Sequence, residues 1–311
     1  MAILTRPGDA EFRLFFAGYG RGDLTSVRGI EGGTVNSSFE VAINKTPYFL
    51  RIYEEQGFQG AQEEAELLLR LASRGVKTPR PIANAQGTYV APLSGKPAAV
   101  FEWSPGTMRC QRSVTANDTR RLGEALARFH CASADEPLRK GRFDVDALFV
   151  RLERVGAVEP VVAERLRGGL ERYCKVRRPL PVGLIHGDLF RDNVLWSNEE
   201  LSSLIDFESA SSGPLAYDVM VTLLAWCFGD RLDHTLARSL IAGYTKVRPL
   251  SEEEQAGLFV EGAIACHRFA ITRITDNAIR IGKDYRRFVA RLEALEALGE
   301  NGVRALCGAE T

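Results

Sequence analysis

Residues 186–193 read His-Gly-Asp-Leu-Phe-Arg-Asp-Asn, and thirteen residues beyond Asn193 a further acid, Asp206, stands in Leu204-Ile205-Asp206-Phe207-Glu208. An Asp five residues before an Asn, with an apolar run leading to another Asp, is the arrangement that phosphoryl transfer from ATP requires. Polyphosphate oxygens repel an incoming oxygen nucleophile, so the site needs a hard cation, and magnesium takes a few protein oxygens with waters completing its shell. Asn193 and Asp206 are therefore read as magnesium ligands. Asp188 is read as the catalytic carboxylate, accepting the proton of a substrate hydroxyl and aligning that oxygen with the phosphorus. Taken singly, each is an ordinary turn residue; the combined spacing is what points to chemistry.

The flanking sequence places these residues at strand ends. Pro181 to Ile185 reads as a short apolar strand entering the loop, Asn193 to Trp196 as a strand leaving it, and Leu201 to Ile205 as one delivering Asp206. On these motifs the chain resembles the aminoglycoside phosphotransferase and choline kinase superfamily of small-molecule kinases. That superfamily's catalytic loop is similar to His-Gly-Asp-Leu-x-x-x-Asn, and its metal Asp stands in Ile-Asp-Phe/Trp-Glu. Within it, His186 to Leu195 resembles the bacterial homoserine kinase branch more than the antibiotic kinases. The resemblance implies an α+β, protein-kinase-like two-lobed fold with ATP in the cleft. It also implies that His186 braces the loop by hydrogen bonds and that Asp218 anchors the loop backbone. Asp192 is read as a helix cap or a partner for Arg191.

Bulk properties narrow the partners. Forty basic and forty acidic residues cancel, leaving no large positive field to recruit nucleic acid or an anionic membrane, so a small-molecule partner is expected. Six cysteines, at 110, 131, 174, 227, 266 and 307, show no Cys-x-x-Cys pair. That pattern suggests buried thiols in a reducing cytoplasm. The N-terminal residues have no signal-peptide pattern, and no apolar run approaches a bilayer-spanning length.

The chain pattern gives an order of elements. A helix is expected from about Asp9 to Gly18, then strands over 24–31, 37–43 and 48–53, a helix over 61–74 closed by Gly75, and strands over 88–92 and 97–103. Thr115-Ala116-Asn117-Asp118 has capping-box form before an apolar stripe of Leu122, Leu126 and Phe129, and Ser251 to Glu254 repeats that start signal. Strands first and helices later imply a small sheet domain over 1–102, read as nucleotide-binding, and a larger, mainly helical catalytic domain over 103–311.

On the nucleotide side, Gly32 to Phe39 forms a Gly-Gly turn of small and hydroxyl residues. Gly33, Asn36 and Ser37 are read as approaching phosphate there, beside the alternative of a plain hairpin turn. Arg51 stands where kinases carry a phosphate-clamping lysine; its fork binds phosphate with a different reach. The resemblance aligns Glu64 as its partner, with Glu63 and Glu66 as rivals. Glu102 and Trp103 fall at the expected adenine hinge. For the acceptor, Arg268 and Arg273 resemble a homoserine kinase segment and are read either as carboxylate binders or as salt-bridge residues. The reading is a magnesium-dependent ATP phosphotransferase acting on a small-molecule hydroxyl, L-homoserine first. The alternatives are another hydroxyl acceptor (an aminoglycoside, a choline-like amino alcohol or a modified amino acid) and a catalytically silent nucleotide-binding protein.

Overall fold

The computed structural model describes residues 3–31, 35–277 and 284–308, and the chain divides into two compact units, Met1–Pro105 and Gly106–Thr311. The division falls three residues beyond the expected position, after the Ser104-Pro105 dipeptide. In the first unit, helix α1 (Asp9–Ala17) leads into strands β1 (Leu24–Gly29), β2 (Ser37–Ile43) and β3 (Thr46–Ile52). Helix α2 (Phe58–Ser73) and strands β4 (Pro81–Ile82), β5 (Val90–Leu93) and β6 (Lys96–Glu102) follow. The strands form one antiparallel sheet in the order β1-β2-β3-β6-β4, with β5 also paired to β6.

Period-two alternation builds this unit. Phe39, Val41 and Ile43 on β2 and Leu50 and Ile52 on β3 are all buried, and they pack in one cluster with Phe12, Phe15 and Phe16 of α1. Arg51, between Leu50 and Ile52, takes the opposite face of the sheet, where α2 supplies Glu64. Pro79 and Pro81 stand beyond the helix end, where proline prevents its continuation, and Pro81 has a second role with Ile82. Pro81 and Ile82 pair with Phe101 and Val100, giving a two-residue edge strand of the kind in which proline is tolerated.

In the second unit come helices α3 (Ala116–Ala132), α4 (Val145–Gly156) and α5 (Pro160–Val176), then strands β7 (Val182–Ile185), β8 (Val194–Ser197), β9 (Glu200–Leu204) and β10 (Ser211–Pro214). Helices α6 (Leu215–Trp226), α7 (His234–Val247), α8 (Glu252–Thr272) and α9 (Arg286–Arg304) complete it. Both capping boxes form. Thr115 Oγ1 accepts from the Asp118 amide at 3.2 Å while Asp118 accepts from the Thr115 amide at 2.9 Å. Ser251 and Glu254 make the same exchange at 3.2 and 3.0 Å.

Two close approaches define the helical packing. A Cβ on Gly123 of α3 would lie 2.0 Å from the Leu240 carbonyl oxygen of α7, and one on Gly243 would lie 2.0 Å from the Arg120 carbonyl oxygen. These glycines let two backbones touch. Helix α6 is buried on every side, each residue from Leu215 to Trp226 being buried. Helix α8 is nearly so, and its buried Glu261 is matched by a two-pronged hydrogen bond from Arg177, at 2.7 Å on each oxygen. Among the described residues no helix is long and apolar enough to cross a membrane. Cys227 and Cys266 are buried, but Cys110 and Cys131 are exposed, which corrects the expectation of buried thiols: Cys131 lies in the last turn of α3 and Cys110 in the segment leading to that helix, where the chain meets solvent.

Candidate active site

The catalytic-loop segment is held from below by two short antiparallel ribbons. Strand β7 pairs with β10, and β8 with β9, with Val194 opposite Leu204. One step further along the second ribbon, the Ile205 amide donates to the Asn193 carbonyl at 3.0 Å. Asp206 is thereby brought beside Asn193 although thirteen residues separate them. Asp206 itself turns the chain with φ of 67°, in the left-handed region, where Asp and Asn are the side-chain-bearing residues most readily accommodated.

The loop between β7 and β8 is fixed by several independent anchors. Asp218 on α6 accepts from the amides of His186 at 2.7 Å and Gly187 at 2.8 Å, and from His130 Nε2 at 3.0 Å. His130 Nδ1 bonds in turn to the Tyr244 hydroxyl at 2.8 Å. Burial alone would raise the Asp218 carboxyl, but His130 and His186 outweigh it and hold it below the ordinary carboxylate value. His186 is fully buried, lies 4.6 Å from the Phe207 ring and donates from Nε2 to the Ile205 carbonyl at 3.1 Å. Burial lowers its pKa, so the ring is a neutral brace. Trp226 Nε1 donates to the Leu189 carbonyl at 3.0 Å. Of the two roles read for Asp192, a helix cap or a partner for Arg191, the second is not the one Arg191 takes up: its guanidinium goes to Gln111 and the Ala225 carbonyl.

Arg268 and Asn193 both donate toward Asp188. Arg268 Nη1 reaches Oδ1 at 3.2 Å, and Asn193 Nδ2 lies 3.3 Å from Oδ2 while bonding the Asp188 carbonyl at 2.7 Å. Arg268 is buried, 4% exposed, with its guanidinium 3.8 Å from the Phe269 ring centroid and 4.3 Å from that of Phe143. Asp188 keeps a third of its side chain accessible, enough to meet a ligand.

The phosphotransferase enzyme family (APH) matches residues 26–250 of this sequence. The chain belongs to that family. Homoserine kinase of Xanthobacter autotrophicus is 37% identical over 285 residues, covering 89% of this chain and 88% of that enzyme. Homoserine kinase of Methylobacterium radiotolerans is 37% identical over 307 residues, covering 94% and 95%. An amicoumacin kinase superposes with a TM-score of 0.72 at 16% identity, covering 94% of each chain; at that identity the likeness carries the fold, which is the two-lobed, protein-kinase-like one. As a phosphotransferase of this family, the protein is an ATP-dependent small-molecule kinase.

Within this phosphotransferase, the first unit places Arg51 Nη1 3.0 Å from Glu64 Oε1, both nearly buried, with the guanidinium also within 6 Å of the Phe49 and Tyr53 rings. Glu63 is bonded to Gln59 and Glu66 to Gln62, so of the three acids it is Glu64 that meets Arg51. Ser37 is fully buried and its hydroxyl accepts from the Leu4 and Thr5 amides at 2.8 and 3.0 Å, while Asn36 Oδ1 accepts from the Glu54 amide at 3.2 Å. Gly33 lies outside the described residues. Glu102 ends β6, its amide donating to the Arg80 carbonyl at 2.8 Å, and Trp103 follows it. In the second unit Arg273 opens a π-helical turn, Arg273–Asn277, and donates to the Asp284 carbonyl at 3.3 Å. Sequence reasoning missed Phe143, Gln111 and Trp226. None has a local signal, since Gln111 and Trp226 reach the loop, and Phe143 reaches Arg268, from distant elements.

Proposed function

We propose that this phosphotransferase is a magnesium-dependent kinase that transfers the γ-phosphoryl group of ATP to the side-chain hydroxyl of L-homoserine. The observation that carries the acceptor is the identity of 37% to homoserine kinases over nearly their whole length. The loop geometry supports the chemistry. Asp188, held by Arg268 and Asn193, takes the acceptor hydroxyl. The acceptor oxygen forms the new bond to phosphorus, the bond from the γ-phosphorus to its bridging oxygen breaks to release ADP, and the hydroxyl proton leaves through the Asp188 carboxylate.

Asn193 and Asp206 offer the hard oxygen donors that magnesium takes, and among the described residues no cluster of three metal-binding side chains competes with them. Two protein donors with phosphate oxygens and water suit this ion better than an all-protein cage. Bound magnesium would neutralise charge on the polyphosphate. Arg51, braced by Glu64, is assigned to the phosphates. Ser37 and Asn36 are assigned to shaping the Gly-rich turn that includes Gly33, and Glu102 and Trp103 to the adenine.

The test is ADP release across a panel of L-homoserine, choline, ethanolamine and an aminoglycoside, with and without magnesium. Preference for homoserine by at least about a hundredfold in kcat/KM, a margin of roughly 2.7 kcal/mol, is the expected outcome. Preference for another acceptor would remove homoserine and leave the kinase.

A further inference from the structure

A cavity of about 470 Å3 adjoins the catalytic loop within the second unit. Among the described residues, four arginines and two aspartates stand on its wall: Arg109, Arg191, Arg273, Arg287, Asp192 and Asp284. Positive charge is in excess, and its distribution is uneven. Arg109 is turned toward Asp118 at 3.5 Å and toward the Trp196 ring, and Arg191 is committed to Gln111 and the Ala225 carbonyl. Arg273 lies over the Phe288 ring at 4.4 Å and meets a carbonyl rather than a carboxylate. Arg287 is exposed. Among the described residues neither Arg273 nor Arg287 forms an ion pair. Burial pushes the Arg273 guanidinium down to about 10, and the like charge of Arg287 acts in the same direction. Two guanidiniums on one cavity wall, without a carboxylate in ion-pair contact among the described residues, are arranged for an anion that arrives from outside.

The position suits the acceptor. Arg273 lies within electrostatic reach of both Asp188 and Asp192, so an anion held there sits near the carboxylate assigned to the reacting hydroxyl. The aspartates on the same wall make it favourable for a zwitterion, which needs both signs, and unfavourable for a polycationic sugar, which the arginines repel. The volume is ample for an amino acid.

We propose that Arg273 and Arg287 hold the α-carboxylate of an amino-acid acceptor in this cavity and determine specificity for it, an inference that rests on the homoserine reading above. Arg268, the other arginine first considered for this task, is occupied by Asp188.

The experiment compares L-homoserine with 3-amino-1-propanol, which is the same molecule without its carboxylate, measured as a substrate or as a competitive inhibitor. Arg287→Met and Arg273→Met are each expected to raise KM for L-homoserine about tenfold or more, the loss of one charge-assisted hydrogen bond. Their response to 3-amino-1-propanol and their KM for ATP are expected to stay within about twofold, a change of roughly 0.4 kcal/mol. Arg287 is exposed, so its variant keeps the packing, and Arg273→Lys should restore part of the lost affinity. Equal losses for both compounds, a raised KM for ATP, or an unchanged KM for homoserine would overturn the assignment. A wild-type enzyme inert toward homoserine but active on another acceptor would remove the homoserine reading and this inference with it, whereas an active wild type with indifferent variants would remove this inference alone.

Discussion

Arg268 and Asp188 form a buried-to-exposed ion pair, with the arginine 4% accessible and its guanidinium stacked on Phe269 while a third of the aspartate side chain meets solvent. The arginine therefore cannot follow a moving carboxylate; it sets where the carboxylate sits. Arg268→Met is expected to lower kcat by about ten- to a hundredfold, the scale of a misaligned reactive group, and to leave the KM for ATP nearly unchanged. Arg268→Lys should recover little, because a lysine lacks the planar face that packs on the ring. Steady-state kinetics on both variants decide it, and an unaltered kcat in Arg268→Met would reduce the pair to packing.

Asp188 and Asp206 should separate in their effects. Asp188→Asn is expected to lower turnover by about a hundredfold or more, as loss of a positioned base does, with nucleotide affinity retained. Asp206→Asn should instead weaken magnesium-dependent nucleotide binding. Titration of each variant with ATP, with and without magnesium, distinguishes them; if Asp206→Asn bound magnesium-ATP like the wild type, its metal role would be lost.

The α3 and α7 helices leave no room between their backbones. Gly123→Ala or Gly243→Ala would put a methyl 2.0 Å from a carbonyl oxygen. Each is expected to destabilise the protein by about 1–3 kcal/mol or more, the range for overpacking a core. Urea titration should show a lower midpoint with an unchanged slope. A midpoint equal to wild type in both would mean that the helices separate freely.

Stability should fall on mild acidification. Burial lowers the pKa of His186 and of His267 in the folded protein, so as pH falls below about 6.5 the unfolded chain takes up protons that the folded one refuses. Asp218 acts at lower pH: its folded carboxyl lies below the ordinary value, so its contribution persists through this range and is lost only as pH falls through the folded value. Thermal melts at pH 7.5 and 5.5 are expected to give a lower midpoint at 5.5, with the difference reduced in His267→Gln. A midpoint that rises on acidification would contradict this.

Much of the fold was legible because it is written in local patterns. The alternation of Phe39, Val41 and Ile43 gave β2, and the Thr115–Asp118 and Ser251–Glu254 pairs marked helix starts to the residue. Helix α6 escaped notice because it is buried all round and so shows no period. Asp188 and Asn193 meet within one loop, and the β8–β9 ribbon brings the backbone beside Asp206 to Asn193. What could not be read was the destination of long side chains. Arg268 reaches back eighty residues to Asp188, and Arg191 passes its adjacent aspartate for Gln111. Such contacts belong to tertiary packing, which neighbouring residues do not encode.

Asp206 occupies a backbone conformation, φ of 67°, that glycine would adopt without strain. For a residue with a side chain this typically costs about 1 kcal/mol or more. Selection for a tougher protein and selection for a faster one therefore pull in opposite directions at this position. Glycine would relax the chain and remove the carboxylate; asparagine tolerates the turn and removes the charge alone. A screen for heat resistance that ignored activity would tend to erase this residue, so thermostable variants of the enzyme are best selected with turnover monitored at every round.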